Sequence, residues 1–277
     1  MLSKLIGHEL RATRRVFLPA YGAAIIFTIL TRILMTFDVF REDFMEFSSP
    51  KWLIDLMATI STILTVSSLI AIFILSFVYM IVRFYRNLLR DEGYLMFTLP
   101  VRTSDLIWSK CIVSTIWMFA SVLVAVIAVF ILCTDANFWQ TLLPQLKDLF
   151  DIVWELGSFH SILYVLEALL LVIFALFAGN MFIYLCLALG QLSSKNRIVL
   201  SIAAYIAITT VLEYVGVSLM MAIGNTIDVS WFSFLSHINM VGLMHLFFGA
   251  VIILSIVETL VCALLTDRIL TRRLNLE

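Results

Sequence analysis

Charged residues are scarce in this chain of 277 residues. Asp, Glu, Lys and Arg together make up 13% of it, against 62% hydrophobic residues and a mean hydropathy of +1.08. Too little polar material remains to cover the surface of a water-soluble fold. Cysteine is sparse as well. Cys111, Cys133, Cys186 and Cys262 all fall within or at the ends of apolar runs, where they read as small buried residues rather than a disulfide framework or a metal site. None of the ten glycines precedes a lysine, so the chain has no G-x-x-x-x-G-K-[ST] phosphate loop. H-E-x-x-H, G-x-S-x-G and paired-cysteine motifs are missing too. His8, His160, His237 and His245 are scattered, mostly near the ends of apolar runs, and no metal role is expected of them. The sequence offers no catalytic constellation, no resident cofactor and no mark of a nucleic-acid partner.

What the chain does have is apolar length. A hydrocarbon core about 30 Å thick needs about 20 apolar residues in a helix. Six runs meet that need, at about 17–37, 58–82, 111–133, 162–189, 198–223 and 243–266. The runs are continuous, whereas barrel strands alternate apolar and polar over about ten residues, so helices are expected. The first run follows a charged segment of 16 residues and shows no small-residue cleavage site after it, so it reads as a retained span. The expectation is an all-α integral membrane protein, one domain over 1–277, with six transmembrane helices.

Basic residues orient it. With the N-terminus inside, 14 of the 18 Lys and Arg residues are cytoplasmic, among them Arg11, Arg14, Arg15, Arg83, Arg86, Arg90, Arg268 and Arg272. The positive-inside rule then places both termini in the cytoplasm. Residues 1–16 set Leu2, Leu5, Ile6 and Leu10 on one helical face and Lys4, His8, Arg11, Arg14 and Arg15 on most of the other. This spacing predicts an amphipathic helix lying in the inner interface against membrane lipid. Pro19 then falls in the first turn of the first span. Outside, residues 142–156 read as a surface helix, and the aromatic segment 224–242 is either an interfacial anchor or a re-entrant dip.

Four ionisable residues lie at or near membrane depth: Arg32, Glu167, Glu213 and Glu258. Charge there costs at least a few kcal/mol per group, so each should face the bundle, pair or protonate. Arg32 is expected to form a structural pair with Asp55. Glu213 and Glu258 either line a translocation path or bond helix to helix, and the residues alone do not choose between these.

The connection between the second and third runs is about 28 residues long, too long for a simple link. It continues the second helix to Arg90, breaks at Gly93, shows the apolar Tyr94-Leu95-Met96-Phe97, and starts a new helix near Thr103, with Thr103 or Ser104 as N-cap and Asp105 in the first turn. Exposed apolar residues of this kind mark docking surfaces. The order Glu92-Gly93-Tyr94, then Leu99-Pro100-Val101, then Lys110, together with six spans, resembles the type-2 ABC exporter permeases of Gram-positive bacterial type. The resemblance covers the whole chain in topology and about 20 residues in motif. It implies a multi-pass permease subunit of the bacterial cell membrane that is not itself an enzyme. It further implies a second permease chain, identical or homologous, and a separate ATP-binding subunit that holds ATP and Mg. That subunit would dock on a coupling helix in the 83–110 loop, at Glu92, Tyr94, Leu95, Met96, Phe97, Pro100 and Arg102. Two other classes stay open: a membrane enzyme, against which the scattered carboxylates argue, and a non-transporting membrane adaptor or immunity protein.

Overall fold

The computed structural model describes residues 2–44, 51–89, 93, 96, 98, 100–133, 140, 143–145, 147, 158–193, 196–226 and 240–272, with side chains at 37–55, 158, 219, 220, 222–240 and 272 left aside. Among these, six long helices carry the chain: α1 (Leu2–Phe44), α2 (Lys51–Leu89), α3 (Thr103–Leu132), α4 (Ser158–Gly190), α5 (Arg197–Thr226) and α6 (Met240–Arg272). Each includes a stretch long and apolar enough to cross a membrane. The chain is an all-α, multi-pass membrane protein, because only the helix satisfies every backbone N–H and C=O within one apolar segment. Each expected span lies inside one helix, except that Cys133 falls in the turn just after α3.

The N-terminal segment differs from expectation. α1 runs from Leu2 to Phe44, and no separate helix ends at residue 16. Pro19 therefore sits in the helix interior, where its missing N–H leaves the Arg15 carbonyl without the usual donor. The cause is visible in burial. Glu9, Thr13, Phe17, Tyr21, Ala24, Thr28 and Thr31 form one buried stripe at spacings of three and four, while Leu2, Leu5, Ile6 and Leu10 are only half-buried. The same face packs from the first turns into the span, so the segment follows the span. Lys4, His8, Arg11, Arg14 and Arg15 are exposed, as the sequence pattern requires.

The described chain forms two compact units, and α1, α2 and α3 contribute to both. The first comprises residues 1–5, 81–115 and 151–277; the second comprises 6–80 and 116–150.

In the second unit, α1, α2 and α3 are tied by aromatic stacking and hydroxyl groups. Phe17 stacks on Trp117 (4.6 Å between centroids, 12° between planes) and meets Tyr79 edge-on at 5.5 Å. The Trp117 indole donates to Thr13 Oγ1 at 2.7 Å, and Thr13 donates to the Glu9 carbonyl at 2.9 Å. Tyr21 donates to the Trp117 carbonyl at 2.9 Å, and its hydroxyl lies 2.8 Å from Ser121, which lies 2.6 Å from Ser76. Thr31 and Thr65 bond at 2.8 Å. With no hydrophobic driving force between helices in lipid, close packing and such bonds hold the segments together.

In the first unit the core is apolar. Phe84, Leu88 and Leu89 of α2 meet Leu106, Ile107 and Cys111 of α3, Met181, Tyr184 and Leu185 of α4, and Cys262 and Leu270 of α6. Phe84 and Tyr184 stack at 3.9 Å. Asn180 accepts from Ser114 at 3.0 Å and donates to Thr115 at 3.1 Å, joining α4 to α3. α4 packs against both α5 and α6. The α4–α5 turn is tight: a Cβ on Gly190 would meet Ser201 Oγ and come within 2.5 Å of the Arg197 carbonyl.

Candidate functional site

The α2–α3 connection lies wholly within the first unit. α2 ends at Leu89 with Leu88 and Leu89 buried in the first unit's core. Gly93 and Met96 are helical, Thr98 is in a turn, and α3 starts at Thr103. The N-cap position is Arg102 rather than Thr103 or Ser104, since the Arg102 carbonyl accepts from Asp105 at 3.0 Å and Leu106 at 3.4 Å. Asp105 stands in the first turn as expected, where a carboxylate favours the helix dipole. Gly93 is required sterically: a Cβ there would lie 2.6 Å from the Leu88 carbonyl oxygen.

The described residues of the expected docking segment divide between core and surface. Met96 is half-buried and packs with Val101 against the core, so it belongs to the scaffold instead of projecting as a free knob. Thr98, Pro100 and Arg102 are exposed. Glu92, Tyr94, Leu95 and Phe97 lie outside the described residues. Lys110, read as the cation entering the third span, is buried near the start of α3.

Among the intramembrane charges, Arg32 reaches the end of α3. Its Nη1 donates to the Leu132 carbonyl at 3.4 Å, one of the last carbonyls of the helix, which have no partner within it. The expected pair with Asp55 lies outside the described residues, because the Asp55 side chain does. Glu213 of α5 and Glu258 of α6 are both exposed at the chain's surface, and no hydrogen bond or ion pair engages either among the described residues. Neither joins the other in a site.

Glu167 behaves differently. Both its carboxylate oxygens lie 2.9 Å from His245 Nδ1 of α6. His245 Nε2 lies 3.1 Å from His160 Nδ1, back on α4. Tyr164 stacks on His245 at 4.2 Å and 12°, and its hydroxyl donates to the Val241 carbonyl at 2.9 Å. Sequence reasoning missed this cluster. The spacing 160, 164, 167 puts three polar groups on one face of α4, which was legible, but the partner His245 is 78 residues beyond Glu167. Among the described residues no group of His, Cys, Asp and Glu could hold a metal ion.

Comparison with protein-family models, curated proteins and solved structures finds no match to this chain.

Proposed function

We propose that this chain is the membrane-spanning permease subunit of an ABC exporter in a bacterial cell membrane, with both termini cytoplasmic. A separate ATP-binding subunit docks on the 83–110 loop and holds ATP and Mg, and a second permease chain, identical or homologous, completes the pathway. The carrying observation is how the loop is seated. Its described residues Gly93, Met96 and Val101 lie between helix ends whose side chains are buried in one core with α4 and α6. Interiors packed to crystal-like density transmit a displacement instead of absorbing it. A push on the connection would therefore move the ends of α2 and α3 together with α4 and α6. A chain without a phosphate loop needs such a lever to be driven by hydrolysis elsewhere.

The surface available to the partner is Thr98, Pro100 and Arg102, with Arg86 nearby in sequence as a polar contact at the rim. The exposed carboxylates support the second chain. Charge facing lipid is costly, and a neighbouring permease that covers Glu213 or Glu258 removes that cost. Isolation of the tagged chain from its native membrane tests the reading: the expected particle holds two permease chains and an ATP-binding protein. A particle with one permease, or with none of the nucleotide-binding partner, refutes it.

A further inference from the structure

Opposite its buried stripe, α1 carries a second line of residues. Arg11, Arg15, Leu18, Gly22, Ile26 and Ile29 follow one another at spacings of four and three, which keeps them within about a quarter of the helix circumference. Arg11, Arg15, Leu18, Ile26 and Ile29 are exposed, and a Cβ on Gly22 would meet nothing within 4 Å. All six belong to the second unit. Two guanidinium groups one turn apart repel each other. The side chains of Arg11, Arg15 and the exposed Arg14 make no hydrogen bond or ion pair among the described residues. Glu9, the one carboxylate before Asp38, is buried on the other face. Charge complementarity therefore calls for an anion here, and the exposed apolar line that continues from the cations calls for an anion with an apolar tail.

We propose that this face of α1 binds one anionic phospholipid of the leaflet that the positive-inside rule places inside. The phosphate lies between Arg11 and Arg15, with Arg14 beside them, and an acyl chain follows Leu18, Gly22, Ile26 and Ile29. The lengths agree. Leu18 to Ile29 is eleven residues, about 16 Å at about 1.5 Å per residue. One leaflet of a hydrocarbon core about 30 Å thick is about 15 Å deep. Arg15 stands about 5 Å before Leu18, within a headgroup layer of about that depth, and Arg11 stands one turn further out at its edge.

Residue types along the line fit their levels. A guanidinium takes two phosphate oxygens at once through its planar fork, which gives the headgroup a fixed orientation as well as an attraction. Gly22 leaves the chain an open track where a larger side chain would stand. The continuity of α1 is what makes the site: a helix that broke after residue 16 would turn Arg11 and Arg15 away from the apolar line. The inference rests on α1 alone and does not require the exporter reading.

Native mass spectrometry of the purified chain in detergent, titrated with phosphatidylglycerol, phosphatidylcholine or inorganic phosphate, tests it. Phosphatidylglycerol should occupy one tight site. Phosphatidylcholine, whose headgroup has no net charge, and inorganic phosphate, which has no chains, should bind roughly tenfold or more weakly. Arg11→Gln combined with Arg15→Gln should weaken the phosphatidylglycerol site about 30-fold, since each cation near a lipid surface contributes about fivefold. Arg268→Gln, which removes an exposed cation of α6, should leave the site unchanged. If the double variant does not accumulate, either single variant should weaken the site about fivefold. Equal binding of the two lipids, or wild-type affinity in the Arg11 and Arg15 variants, overturns the site. Inorganic phosphate binding as tightly as phosphatidylglycerol also overturns it, in favour of a free-anion site. A disulfide formed in the membrane between two copies of Ile26→Cys does so as well, because it seats a second chain on this face.

Discussion

Single atoms decide two positions in this chain. Gly190 ends α4 against the first turn of α5, and an added methyl would collide with Ser201 Oγ and the Arg197 carbonyl. Gly179, eleven residues earlier in the same helix, has open space where its Cβ would be. Gly190→Ala should therefore lower stability by about 1–3 kcal/mol through overpacking. Gly179→Ala should be neutral, or gain up to about 1 kcal/mol from helix propensity. Thermal unfolding in detergent compares the two directly, and equal melting shifts would contradict the tight turn. At this scale the sequence is a partial guide. It shows that Glu167, at membrane depth, should face the bundle, pair or protonate, since an isolated charge there is costly. It does not show that the partner is His245, because the register between two uninterrupted apolar helices is set by packing along their whole length. Met96 carries the opposite lesson. An apolar residue in a loop reads as a knob, yet the adjacent core took it in.

Helices were legible wherever apolar length was the signal. All six expected spans lie in helices, because a continuous apolar run of this length has one hydrogen-bonded solution in lipid. Boundaries depended on finer effects. The expected break after residue 16 is not there, because the buried stripe through Glu9, Thr13 and Phe17 runs in register with the stripe of the span. The polar Thr13 of that stripe bonds inward, accepting from the Trp117 indole at 2.7 Å. This contact makes a prediction for α1. Trp117→Phe keeps an aromatic ring for Phe17 to stack on while it removes the donor and part of the buried ring, so it should cost at least about 1 kcal/mol. With Thr13→Val as the second change, a double-mutant cycle in thermal unfolding should recover the donor's share of that cost as a coupling energy. Purely additive effects would show that the bond does not hold α1 to α3.

For the whole molecule, the account rests on a soluble partner gripping the α2–α3 connection. The sequence carries no phosphate loop, and the connection is the place where helix ends from four elements share one core. Thr98, Pro100 and Arg102 are exposed there, and Met96 and Val101 face inward. A substitution that reverses exposed charge and leaves the inward residues alone separates grip from fold. The most direct measurement is quantitative co-purification of an ATP-binding subunit with tagged wild type and with Arg102→Glu, each at equal yield of folded chain. The wild type should bring the subunit down in stoichiometric amount, and Arg102→Glu should weaken the association by roughly tenfold or more. An ATP-binding subunit retained equally by both, or absent from both, would contradict the account.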